Sequence, residues 1–173
     1  MNRLPCLARR QRGVSLLEAI AYLGVAATII VGAVALLSSA FSGARANRAQ
    51  EELTAISTGV KRLYMSQAGA FGTGNLNVTL ASAKVFPSTL AVAGANVLNA
   101  WNGAVNVVGN TTVFDISYAN VPQEVCIELL STTSQFISVA ANGGAALTPP
   151  VTLAQASAQC SAVQANTLVW TTR

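Results

Sequence analysis

From Ala19 to Leu37 the chain is apolar on every side, and from Ala46 onward it is apolar on one side only. The first stretch, about 19 residues with Thr28 as its one clearly polar member, is long enough at 1.5 Å per residue to cross a bilayer. In the second, Ala46, Ala49, Leu53, Ile56, Val60 and Leu63 recur at steps of three and four, which marks one buried helix face. Arg45, Arg48, Glu51, Glu52, Lys61 and Arg62 fall off that stripe, and the adjacent Glu51 and Glu52 are expected to be solvated or paired with Arg48. No proline interrupts residues 14–66, so the pattern predicts a single helix of about 80 Å, its first half buried in an apolar medium and its second half laid on a globular head. Gly24, Gly32, Gly43 and Gly59 each weaken it by roughly 1 kcal/mol relative to Ala. Gly24 and Gly32 read equally as points of local unwinding and as places where helices pack closely.

The helical pattern gives out at Ser66-Gln67-Ala68-Gly69, and residues 69 to about 100 read as a long connection with a short helix near Asn77–Lys84 and a turn at Phe86-Pro87. Regular structure returns at Trp101. Residues 104–108 and 111–119 are β-type runs separated by Gly109-Asn110, a two-residue hairpin signal. Pro122, in the first position of a helix with Glu124 in its first turn, opens a segment carrying Cys126, Ile127, Leu129 and Leu130. A strand at 136–140 ends in Asn142-Gly143-Gly144, a short helix at 153–159 leads into Cys160, and residues 167–171 close the sheet. The fold class expected is therefore α+β: a long amino-terminal helix on a small head (residues 67–173) with an antiparallel sheet and short helices.

Charge changes the picture at the amino terminus. Arg3, Arg9, Arg10 and Arg12 precede Gly13, and the apolar run follows with Glu18 near its start. A secretory signal places its small-residue cleavage site after the apolar region and discards that region. Here the glycine comes first, so a cut between Gly13 and Val14 leaves the apolar segment on the mature protein. Removal of residues 1–13 also takes four of the ten basic residues, leaving as many basic as acidic ones. The basic balance of the precursor is thus a positive-inside signal, and no nucleic-acid partner is expected.

Gly13-Val14-Ser15-Leu16-Leu17-Glu18 resembles the processing site of type IV prepilins, whose leader ends in glycine and whose mature fifth residue is glutamate. Asn99-Ala100-Trp101-Asn102-Gly103 is similar to the Asn-Pro-Trp-Gly-Gly segment of type IVb pilins, with Ala100 and Asn102 departing from it. Residues 114–129 and the segment before Cys160 are also similar to that subfamily, whereas residues 69–98 have no counterpart. The resemblance implies a major pilin precursor inserted in the bacterial inner membrane. Its expected partners are inner-membrane lipid, a prepilin peptidase, the pilus assembly machinery and further copies of itself in an extracellular helical filament. That filament would serve adhesion, aggregation or conjugative mating contact. It also implies N-methylation of Val14 and pairing of Glu18 with a Val14 amine, in a neighbouring subunit or within one chain. A minor pilin or secretion-system pseudopilin, and a membrane-tethered periplasmic binding module, are the alternatives.

With the head across the membrane, Cys126 and Cys160 have an oxidising compartment in which to pair, and a disulfide bounding residues 126–160 is the default reading against two buried thiols. Cys6 leaves with the leader. The chain has no histidine, and no cluster with metal-ligand or acid–base spacing stands out. Glu124 and Glu128 share a helix face, where a first-turn dipole partner and a surface charge are the ordinary reading. No catalytic residue, metal or cofactor is expected, and the protein reads as structural.

Overall fold

A computed structural model describes residues 15–67 and 69–173, which excludes Gly13 and Val14. The chain forms two compact units, Met1–Ala40 and Phe41–Arg173. Helix α1 (Leu16–Leu63) passes through both. It begins where Ser15 caps it: the Ser15 hydroxyl accepts the Glu18 backbone N–H at 3.2 Å, satisfying one of the donors that a helix start leaves free. It ends with Lys61 and Arg62 in the last turn, beside the negative end of the dipole, and a short 3-10 turn at Met65–Gln67 follows.

In the second unit the stripe predicted from periodicity is buried from Ala46 to Val60, while Leu63 is partly exposed at the helix end. Two polar residues join it. Glu52 and Ser57 are buried, so the expectation that Glu52 is solvated is wrong. Gly59 also has a specific role, since a Cβ there would press on the Val85 side chain.

After α1 come β1 (Gly72–Asn75), α2 (Asn77–Ser82) and a small hairpin of β2 (Ala91–Ala93) and β3 (Asn96–Leu98). The short helix expected near Asn77–Lys84 is present as α2, and the three strands around it were not expected. The first of them was hidden because Gly-Thr-Gly-Asn has no apolar alternation, and its pairing with β4 (Val105–Thr111) depends on a partner feature instead. Gly109 of β4 faces the backbone of Phe71 and Gly72 so closely that any Cβ would collide with their carbonyls. Gly109 is therefore a close-approach glycine and not a turn residue; the hairpin to β5 (Val113–Val121) closes two residues later, with Asn110 opposite Val113 and Thr111 at a φ of 63°. Pro122 is the N-cap, one position earlier than expected, of α3 (Gln123–Thr132). Strand β6 (Ser138–Ala141), α4 (Leu153–Gln159) and β7 (Asn166–Thr172) complete the chain. Thr152 and Gln155 form a reciprocal capping box on α4.

The five-stranded sheet is antiparallel throughout, in the order β1-β4-β5-β7-β6, so the last strand of the chain inserts between β5 and β6. Alternation sends Phe114, Ile116 and Tyr118 of β5 and Leu168 and Trp170 of β7 inward, where they share one core with the α1 stripe. Tyr118 meets Trp170 edge to face at 5.7 Å.

Three asparagines organise the irregular chain between these elements. Asn77 is wholly buried and bonds the backbone of Ala95, Val105 and Val107. Asn166 does the same for Val121 and Ala162. Asn99 accepts from the Trp101 and Gly103 N–H groups and donates to the Ala119 carbonyl, closing the turn that carries Trp101. Within that turn Asn102 takes a φ of 55°, which asparagine tolerates better than most residues, so its departure from glycine is accommodated. Gly103 has no substitute, because a Cβ there would lie 1.8 Å from the Ala119 carbonyl oxygen.

Candidate functional site

The first unit offers an uncovered apolar helix. Leu16–Leu63 is, among the described residues, the helix long and apolar enough to cross a membrane, and none of its most apolar window is buried. Leu23, Val31 and Leu36 are each at least 70% exposed, a state that water alone disfavours at about 25 cal/mol per Å² of apolar surface. Such a segment requires lipid or protein around it.

Glu18 lies at the start of this helix and is exposed. Its backbone N–H is held by Ser15, and one carboxylate oxygen accepts a hydrogen bond of 3.2 Å from the Tyr22 hydroxyl one turn further along. The expected partner, the Val14 amine, lies outside the described residues, as does the Gly13-Val14 bond. The Ser15-x-x-Glu18 spacing and the i,i+4 relation of Glu18 to Tyr22 were both present in the sequence as a capping signature and a helix-face pair.

The second unit contains a carboxylate of a different kind. Glu52 is 3% exposed; one of its oxygens accepts a long hydrogen bond of 3.4 Å from the Tyr118 hydroxyl, and the other has no hydrogen-bond partner. Burial therefore raises the Glu52 pKa, with the Thr89 and Tyr118 hydroxyls and the nearby Arg48 opposing the shift. Burial and the neighbouring Glu52 likewise push the Tyr118 hydroxyl well above its ordinary value, which keeps it a donor. For Glu52 the folded pKa exceeds the unfolded one. Its contribution to stability is complete below the unfolded value and is lost as pH rises through the folded value. The detergent-solubilised protein is accordingly expected to lose thermal stability as pH rises above the ordinary carboxyl range, and Glu52→Gln to reduce that pH dependence. An unchanged pH dependence in thermal melts of the Gln variant would show that the carboxylate is not the cause.

The cysteines belong to the same core. Cys126 on α3 and Cys160 at the end of α4 are wholly buried and joined by a disulfide, with their Cα atoms 5.9 Å apart. Gln123 reinforces the junction by donating to the Cys160 carbonyl at 2.8 Å. Glu124, expected to serve the α3 dipole, does stand in its first turn and also accepts a hydrogen bond from Ser42 of α1. The described residues contain no group of three or more His, Cys, Asp or Glu side chains placed to hold a metal.

The family model described as PilS N terminal matches residues 43–173, the whole head and the amphipathic half of α1. The chain belongs to the PilS N-terminal family.

No curated protein matches it. Among solved structures, the type IVb pilin from Salmonella typhi is 24% identical, with a TM-score of 0.54 over 70% of this chain and 97% of that one. TcpA, a type IV pilin from the El Tor biotype of Vibrio cholerae, is 13% identical, with a TM-score of 0.55 over 75% of this chain and 99% of that one. This PilS-family chain thus has the type IVb pilin fold that the leader, the Trp101 turn and the cysteine segments resemble. The match to the family covers the second unit, so Glu18 and the apolar helix stand on their own chemistry.

Proposed function

We propose that this chain is the major structural subunit of a type IVb pilus. The observation that carries the reading is the apolar half of α1: a folded, disulfide-closed head is continuous in sequence with a helix segment that has nothing covering it. Lipid satisfies that segment before assembly, with residues 19–37 spanning the inner membrane and the leader arginines on the cytoplasmic side. Other copies of the same helix satisfy it afterwards, in the core of an extracellular filament. A peptidase cutting between Gly13 and Val14 converts the first state into a subunit competent for the second, with Val14 as a methylated amino terminus. The work done is mechanical and adhesive, in aggregation, colonisation or mating contact, and needs no catalytic group or cofactor.

Filaments sheared from cells expressing the chain decide this. Electron microscopy with antibody against the head is expected to label them along their length, and intact-mass measurement is expected to show a subunit lacking residues 1–13. Label confined to filament tips would instead indicate a minor pilin. Protein retained in the membrane fraction, with none in sheared material, would indicate a tethered periplasmic module. Residues 1–13 still attached in assembled filaments would overturn the processing step.

A further inference from the structure

We propose that Tyr22 is a positioning residue for assembly, its hydroxyl holding the Glu18 carboxylate in place within the apolar segment; this rests on the pilus-subunit reading above. In an α-helix the Cα–Cβ bonds tilt toward the amino terminus, so a side chain four residues further along leans back over the earlier one. Tyr22 stands four residues after Glu18 and does so, its hydroxyl donating to Glu18 Oε1 at 3.2 Å. From the other side Ser15 caps the same turn through the Glu18 N–H, at 3.2 Å. The glutamate is therefore engaged through both its backbone and its side chain, by a residue before it and a residue after it.

The chemistry of the surroundings gives the contact its use. On its own face of the helix Glu18 is flanked by Ser15 and Ala21, three residues away on either side, and by Tyr22, four residues on; the Ser15 hydroxyl is engaged with the Glu18 backbone N–H, Ala21 has no side-chain donor, and hydrocarbon supplies none. Thr28, the next hydroxyl along the helix, is committed to the Val25 carbonyl at 2.8 Å. Among the described residues, Tyr22 is the side chain that donates to the Glu18 carboxylate. The pairing solves two problems together, since a phenol in the same apolar stretch also needs a partner. It leaves the second carboxylate oxygen open to a cation arriving from a neighbouring subunit, and it reduces the set of rotamers from which that encounter begins. A tyrosine that merely anchored the helix at the membrane surface, as interfacial aromatics do, would act without regard to Glu18.

The test separates these roles by using Tyr22→Phe in the full chain, with two readouts. In the processed, unassembled subunit reconstituted in phospholipid bilayers, the carboxyl carbon resonance of labelled Glu18 is expected to move on Tyr22→Phe, while that of Glu51 stays where it is. In cells, the yield of sheared filaments is expected to fall roughly tenfold, the scale of one hydrogen bond to a charged group, with the amount of inserted and processed subunit unchanged. An unmoved Glu18 resonance overturns the contact. A moved resonance with wild-type filament yield overturns the positioning role. If cells with the wild-type chain make no filaments containing it, the pilus reading falls and takes the assembly half of this inference with it, while the resonance still decides the contact.

Discussion

Subunits carrying Glu18→Val are expected to insert, lose the leader and form the disulfide, yet to be almost absent from filaments. A carboxylate within an apolar span costs roughly 2.5–3.5 kcal/mol on insertion scales, so the variant enters the membrane more readily than the wild type. What it loses is the axial mark. Two apolar helices sliding past one another have no strongly preferred register, because every position along the contact buries similar surface. A charge on one and an opposite charge on the other make one position much better than the rest, in a medium where such an attraction is little screened. The expected measurement is a drop of sheared filament to near background with processed subunit in the membrane at wild-type level. Normal pilus numbers on Glu18→Val cells would end the register argument, whatever the fate of the Tyr22 contact. The two variants are ordered by this logic: removing the Tyr22 hydroxyl weakens the placement of a charge that Glu18→Val removes altogether.

Cys126→Ser and Cys160→Ser are expected to have the second large effect, on the folded head itself. The bridge spans 34 residues of chain that include α3, the edge strand β6, α4 and a long irregular stretch between them. Closing such a loop restricts the unfolded chain by about 4 kcal/mol in the chain-entropy account. Against a total stability of about 5–15 kcal/mol for a domain of ordinary size, that is a large share. Both sulfurs are wholly buried, so a serine at either position also leaves a hydroxyl and a thiol in the core. Each single variant is expected to lower the steady-state amount of subunit severalfold, and the double variant to be no worse than either, because one bond is lost in all three. A clearly additive loss, measured by quantitative blotting of whole cells, would mean that the two side chains act separately.

Much of the architecture follows from local rules that act on neighbouring residues. The step of three and four from Ala46 to Val60 specifies a buried helix face, and the unbroken apolar run before it specifies an uncovered one, because side-chain direction in a helix depends only on position along it. Thr152-x-x-Gln155 starts α4 for the same reason, and alternation along β5 and β7 places Phe114, Tyr118 and Trp170 in the core. Order and spacing single out Gly13, Val14 and Glu18 as candidates, of which Gly13 and Val14 lie outside the described residues, and the Cys126–Cys160 pair was legible from compartment and count. The tertiary structure decided what depends on two distant segments meeting. Gly109 reads as a turn until β1 is seen against it, and the Gly-Thr-Gly-Asn strand carries no pattern of its own because its order comes from the backbone of its neighbour. Glu52, three residues after Ala49 and four before Ile56, falls on the margin of the buried α1 stripe; the arrival of β5 brings the Tyr118 hydroxyl to it. The insertion of β7 between β5 and β6 likewise belongs to no local rule, since a strand's pattern states which face is buried and leaves its partner to the packing of the whole head.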